Sequence, residues 1–348
     1  LAFYMGCDSR NEYIYKFVST AVWDPRDVGG GMAVGDKYLS EGKLYVARFD
    51  ATGRGEWLEL SFTDPRIANY MPCKFDNQGD VLVNARHAAD AVGATKMDRP
   101  EWGAVNPRNG EIYFSLTNNS AANRTPAKTD AANPRAYMDL DGIKSSGNPN
   151  GHIIRFRESD QKATAKTFSW DIFLFGAEED MVDANLSGLT AKNDFSSPDG
   201  LWFSKTTGIC WIQTDDNAFT DETNCMLLAA TPGQVGDGGK LTVKNKMLVN
   251  GVEQSGTQET FMGALLGEAK LRRFLVAPSG SEVTGITETP DGRTLFVNIQ
   301  HPGEMSKPLS SGNAPQSLWP GNQGFGPQGR PRSATIVITR QDGGLIGL

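Results

Sequence analysis

Histidine is scarce: the 348 residues include three, His87, His152 and His301, too few and too scattered for an imidazole-rich metal centre. Cysteine is nearly as rare. Cys7, Cys73, Cys210 and Cys225 form no CxxC pair and no repeated spacing, which excludes a zinc framework or a disulfide scaffold. Any metal must therefore be held mainly by oxygen. Long apolar runs are missing too. Cys225-Met-Leu-Leu-Ala-Ala230 falls far short of the roughly 20 residues that span a bilayer, so no membrane contact is expected. Leu1-Ala-Phe-Tyr-Met5 is apolar without a basic lead or a cleavage site, and reads as part of the fold rather than a targeting segment. Positive charge is in deficit, 34 Lys+Arg against 41 Asp+Glu for a net charge of −7, which argues against nonspecific binding of nucleic acid.

Glycine is plentiful. With 39 glycines, 18 prolines and 9% aromatics, the chain suits many short strands joined by tight turns. Strand-like runs include Tyr13-Ile-Tyr-Lys-Phe-Val18, Lys43-Leu-Tyr-Val-Ala-Arg-Phe49, Glu111-Ile-Tyr-Phe-Ser-Leu116, His152-Ile-Ile-Arg-Phe156 and Thr294-Leu-Phe-Val-Asn298. One stretch differs: Val81, Ala85, Ala88, Ala89 and Val92 recur at helical spacing, predicting an amphipathic helix over 80–93 inserted between sheets. Segments 117–135 and 302–333, rich in Asn, Gly, Ser and Pro, read as long surface loops.

Three segments share a plan. Arg99-Pro-Glu-Trp102, Ser197-Pro-Asp-Gly-Leu201 and Gly280-Ser-Glu-Val-Thr-Gly285 each place a carboxylate at a strand start. A turn glycine follows Glu101 and Asp199 by 9 residues and Glu282 by 10, and a second apolar strand comes next. The carboxylates lie 98 and 83 residues apart, a period that suits four-stranded units with long loops. The expectation is an all-β fold, a β-propeller, in which innermost strands converge on one channel mouth. Three carboxylates gathered there would repel one another unless cations neutralised them, whereas each one singly is ordinary turn chemistry. Pro100 predicts an extended Arg99 whose side chain shares a face with that of Glu101.

The blades read as a truncated one at 1–62, fuller ones at 99–176 and 197–250, and a three-stranded one at 282–340. The single domain 1–348 is thus expected to be an incomplete ring lacking N-terminal blades, the C-terminal part of a longer protein.

Several motifs resemble the PhoX-type alkaline phosphatases: Tyr4-Met-Gly-Cys-Asp8, Glu12-Tyr-Ile-Tyr-Lys-Phe-Val-Ser19, Arg99-Pro-Glu-Trp102, Asn150-Gly-His-Ile-Ile-Arg155 and Trp211-Ile-Gln-Thr-Asp215. Phe296-Val-Asn-Ile-Gln-His-Pro-Gly-Glu304 is the most distinctive, and the matches run from residue 4 to 304. The resemblance implies a six-bladed propeller with calcium and ferric iron at the channel mouth, hydrolysing phosphate monoesters in the periplasm or outside the cell. It implies that Glu101, Asp199, Glu282 and Asp8 ligate metal and that Arg99 holds the substrate phosphate. Two positions depart from the family pattern: Cys7 stands where the family usually has an aspartate, and Ser281 where it has a cysteine. The family's iron-binding thiolate lies outside this sequence, so Cys7 is not given that role.

Two other functions suit a propeller: a calcium-dependent lactonase of the gluconolactonase kind, and a non-catalytic module binding partners through its long loops. Arg-Pro-Glu-Trp and Gln-His-Pro-Gly-Glu have no evident use in a lactonase. Lys16 and Arg10 suit either the mouth or a solvated strand edge, and Asp215 and Asp216 read as turn residues. Trp102, Trp202 and Trp211 read as blade-packing aromatics, and His152 and His301 as strand-end hydrogen bonders.

Overall fold

A computed structural model describes the chain except residues 217, 218, 220, 308–310, 312 and 322–329. Four antiparallel units, called the first to fourth sheets, follow one another along it, the first two joined edge to edge by pairing of Arg54–Glu59 with Thr167–Phe175. The first is ordered Ala2–Met5, Tyr15–Ser19, Gly42–Phe49, Arg54–Glu59, and the second Pro100–Val105, Ile112–Leu116, His152–Glu158, Thr167–Phe175. The third runs Pro198–Phe203, Cys210–Thr214, Met226–Ala230, Leu271–Val276, and the fourth has three strands, Glu282–Glu288, Thr294–Gln300 and Ala334–Thr339. The third sheet thus continues past residue 250. A hairpin of two 11-residue strands, Gly239–Val249 and Val252–Met262, interrupts it and reaches the second sheet at Ile172.

The core lies between successive sheets, as blade packing in a propeller requires. Ile112, Phe114 and Leu116 pack with Tyr45 and Trp57 of the first sheet, whereas Tyr113 packs with Leu201 and Phe203 of the third. Alternate residues of one strand therefore enter two different cores, which explains why such strands read as continuous apolar runs. Trp211 and Leu227 then meet Val283, Leu295 and Val297 between the third and fourth sheets. Phe156 anchors the first interface, its ring 5.1 Å from Phe168 and 5.7 Å from Trp57. Its full burial contributes about 1.5–3 kcal/mol.

The turn glycines have a conformational reason. Gly110, Gly208 and Gly292 adopt φ of 73°, 76° and 67°, and each donates its N–H back across the hairpin, to Asn106, Ser204 and Thr289. That left-handed backbone suits glycine. Among the described residues, Ala2–Met5 pairs only with Tyr15–Ser19 and Ala334–Thr339 only with Thr294–Gln300, so no ladder joins the first sheet to the fourth.

The helical stretch is two helices, Gln78–Val83 and Ala85–Val92, broken at Asn84 and ended by Gly93 at φ 75°. Val81, Ala88, Ala89 and Val92 cover Val46 and Leu58 on the first sheet and Tyr13 just before its second strand. Segment 117–135 is no surface excursion. Thr117, Asn119, Arg124, Ala132, Asn133 and Arg135 are all buried. The long hairpin covers the segment: Thr260 donates to the Ala131 carbonyl at 2.6 Å and Asn245 to that of Pro134 at 2.9 Å. The sequence predicts exposure from polarity, but Asn119 and Arg124 donate to Asp98, Asn133 to the Lys96 carbonyl and Arg135 to the Gly176 carbonyl, and polar groups so paired tolerate burial. Much of the other expected loop, 302–333, lies outside the described residues.

Candidate active site

Pro198–Phe203 lies against Pro100–Val105 on one side and Glu282–Glu288 on the other, so the starts of three inner strands meet. A bulge or other irregularity spans Glu101, between Pro100 and Gly103, and Asp199, between Pro198 and Leu201, and another follows Glu282 between Thr284 and Ile286. Bulges bend a strand and re-aim its side chains. Glu101 and Asp8 face each other within hydrogen-bonding reach, as do Asp199 and Glu282, and Glu101 also feels the charge of Asp199. Burial, and then the neighbouring carboxylates, push Glu101 up to about 9, Asp199 up to about 8 and Glu282 up to about 7. Asp8 is the exception, held low by hydrogen bonds from Arg99 and Glu101 that outweigh its burial.

Arg99 closes this group. Its Nε and Nη2 donate to the two Asp8 oxygens at 2.6 and 3.0 Å, and Nη2 lies 3.9 Å from Glu101 Oε2. The backbone is not the extended one expected before proline: φ of Arg99 is 58°, and that of Ser197, before Pro198, is 48°. Such backbones cost about 1–3 kcal/mol and persist where the surroundings hold them. Two matching hydrogen bonds do so, Thr117 N–H to the Arg99 carbonyl and Asp215 N–H to the Ser197 carbonyl, both 3.1 Å. The first and second repeats thus share a local geometry beyond their sequence pattern.

Three acidic or basic side chains join the group without having been singled out for it. Asp215 follows the second strand of its sheet, and the Arg99 and His301 charges offset part of the upward push of its burial. His301 Nε2 lies 3.3 Å from Glu282 Oε2, and its Nδ1 lies 3.6 Å from Glu304 Oε2. Asp215, His301 and Glu304 line a cavity of about 120 Å³ together with Ile143 and Ser281. The register brings them in: these residues follow the strand that pairs with a carboxylate-bearing strand, since Pro198 pairs with Thr214 and Glu282 with Gln300.

Comparison with family models matches residues 1–303 to "Alkaline phosphatase PhoX". The chain belongs to the PhoX alkaline phosphatase family. A solved structure, Pseudomonas fluorescens PhoX in complex with vanadate, a transition state analogue, is 34% identical with a TM-score of 0.71. The match covers 99% of this chain and 52% of that one, so the chain spans about half the length of the PhoX it matches. A comparison with curated protein sequences found no match.

The mouth of this PhoX-family chain has the donor set of a hard-cation site. Glu101 Oε2 is buried without a hydrogen-bond partner, and Asp199 and Glu282 are pushed up chiefly by burial and by other carboxylates. Oxygen donors in excess suit hard multivalent cations. Cys7 is exposed, and desolvation with nearby Glu12 and Asp8 pushes its thiol up, which disfavours a thiolate.

Other candidates fall elsewhere. Lys16 is neither at the mouth nor on a solvated edge. It is fully buried, 2.7 Å from Glu158 Oε1 and 5.0 Å from the Trp57 ring centroid. Arg10 is exposed near Asp8. Asp216 accepts from Ser196 Oγ at 2.6 Å and from Phe219 N–H at 2.8 Å. Trp211 is buried and Trp202 partly so between the third and fourth sheets, but Trp102 is 42% exposed and packs in neither core beside its strand. His152 is buried against the Ala132 carbonyl at 2.8 Å, and desolvation pushes it down to about 4, so it is neutral and structural.

Proposed function

We propose that this chain forms the catalytic mouth of a metal-dependent phosphomonoesterase acting outside the cytoplasm. Glu101, Asp199, Glu282 and Asp8 hold calcium and ferric iron, and Arg99 binds the phosphoryl group of the ester. The reading rests on one juxtaposition: a guanidinium fork bordering a carboxylate cluster that contains an unpartnered buried oxygen, Glu101 Oε2. A vanadate complex of a family member supports it, since vanadate is described there as a transition state analogue.

Each residue has a physical part. Arg99 presents parallel N–H groups, a geometry that matches two oxygens of a phosphoryl group as it matches the Asp8 carboxylate. An Asp8 committed to a cation leaves that fork to the substrate. Bound among the carboxylates, calcium and iron supply Lewis acidity to the phosphoryl oxygens. Phosphoryl transfer is catalysed mainly by positioning and charge stabilisation, so a site without a serine or histidine nucleophile is chemically sufficient. Glu282 fixes His301, which with Glu304 and Asp215 walls the adjoining cavity where the alcohol portion of the ester fits.

The test offers the full-length protein a phosphate monoester and an aldonolactone, before and after chelation. Hydrolysis of the ester alone, abolished by chelator and restored by calcium with iron, is the expected result. Lactone hydrolysis, or ester hydrolysis that survives complete metal removal, overturns the proposal.

A further inference from the structure

A second group of carboxylates lies apart from the mouth, on the strand Tyr137–Asp139, the turn after it, and the segment following Thr167–Phe175. Ligand oxygens of Asp139, Asp141 and Glu178 all lie within 4.8 Å of one another. Asp139 is fully buried, and neither of its carboxylate oxygens has a hydrogen-bond partner; Glu178 is 3% exposed and its Oε1 is likewise unpartnered. A buried ionised carboxylate without a partner carries a large desolvation cost, so native proteins pair such groups or place them on metals.

We infer that Asp139, Asp141 and Glu178 form a binding site for one divalent cation of the calcium class. The donors are all carboxylate oxygens, without a nitrogen or sulfur, which selects a hard ion. Oxygens bound to calcium at about 2.3–2.6 Å are separated by at most about 5 Å, and the spread of this group meets that limit. The strongest neighbouring charges are all negative, so no cationic side chain among them neutralises the group. After burial, Asp141, Asp221 and Asp216 weigh most on Asp139, pushing it up to about 8. Burial, and then Asp139, Asp141, Asp221 and Asp180, likewise push Glu178 up to about 8. Asp221 comes close enough that a Cβ on Gly142 would lie 2.4 Å from its carboxyl carbon.

The site would staple the end of Tyr137–Asp139, which pairs in a small sheet with Ser145–Asn148, to the segment that follows Thr167–Phe175, with Asp221 of a third-sheet loop beside it. It also bears on the mouth. Ile143, two residues beyond Asp141, lines the cavity with Asp215 and His301, so a cation at Asp141 braces that wall.

Calcium bound per chain is counted by metal analysis of the full-length protein after desalting, for the unsubstituted protein, Asp139→Asn/Glu178→Gln, and Glu101→Gln/Asp199→Asn. The first variant should lose one calcium and keep the mouth metals; the second should keep that calcium. An equal count in Asp139→Asn/Glu178→Gln and the unsubstituted protein overturns the proposal. If that variant does not fold, crystals of the unsubstituted protein soaked in terbium decide. An anomalous peak among the three carboxylates supports the site, and its absence, with terbium bound elsewhere, refutes it.

Discussion

Replacing Arg99 by methionine removes a planar cation of similar length while leaving an aliphatic stem in its place. In the free protein the loss falls on Asp8, which gives up contacts of 2.6 and 3.0 Å and the charge that helps hold it ionised. Asp8 is partly exposed, so water replaces much of that interaction and the fold survives. The loss to a bound phosphoryl group is larger, because two N–H donors and a positive charge disappear from a half-buried place. A hydrogen bond to a charged group contributes about 1.5–3 kcal/mol, which converts to roughly 10- to 150-fold in kcat/KM. The assay is steady-state hydrolysis of an aryl phosphate by the full-length holoenzyme, with inorganic phosphate inhibition and metal content measured on the same samples. Activity and phosphate affinity should fall together by that factor while metal content stays unchanged. Arg99→Met with undiminished kcat/KM and intact metals would show that the fork serves Asp8 alone.

Further outcomes follow from the same geometry. Glu101→Gln should lose mouth metal and activity together, read by metal analysis and ester hydrolysis. In metal-free protein, Glu101, Asp199 and Glu282 keep protons up to about 9, about 8 and about 7, well above the ordinary carboxylate range. Over that window the folded state binds more protons than the unfolded chain, so their contribution is full at low pH and is lost as pH rises. Thermal unfolding in chelator should therefore weaken from about pH 5 to about pH 9, with a shallower slope in Glu101→Gln and with added cations; an unchanged slope in Glu101→Gln would refute the repulsion. Lys16→Met should cost about 3–5 kcal/mol in urea unfolding, because it strands the buried Glu158, and Lys16→Met/Glu158→Gln should recover much of it. If the double variant is no more stable than the single, Lys16 contributes by packing rather than by pairing.

The sheets were legible because strands buried on both faces leave apolar runs, and because Gly110, Gly208 and Gly292 mark turns that need φ above zero. Glu101, Asp199 and Glu282 could be picked out by their offset to those glycines. Asp215, His301 and Glu304 could not, since each lies across a hairpin from its carboxylate and a turn aspartate or strand-end histidine looks the same either way. Pairing register was the missing information. The Arg99 backbone was misjudged because a local steric preference before proline loses to the Thr117 and Asp8 contacts, which are 18 and 91 residues away in the chain. Lys16 was misplaced for a similar reason, its partner Glu158 lying 142 residues further on.

The most direct test of the account is a crystal structure of the full-length protein with its metals and vanadate, with anomalous data at the iron edge and at long wavelength. The account predicts metal peaks against Glu101, Asp199 and Glu282, and a vanadate oxygen in the Arg99 fork in place of Asp8. Metals bound away from these carboxylates, or vanadate seated elsewhere while Arg99 still grips Asp8, would contradict it.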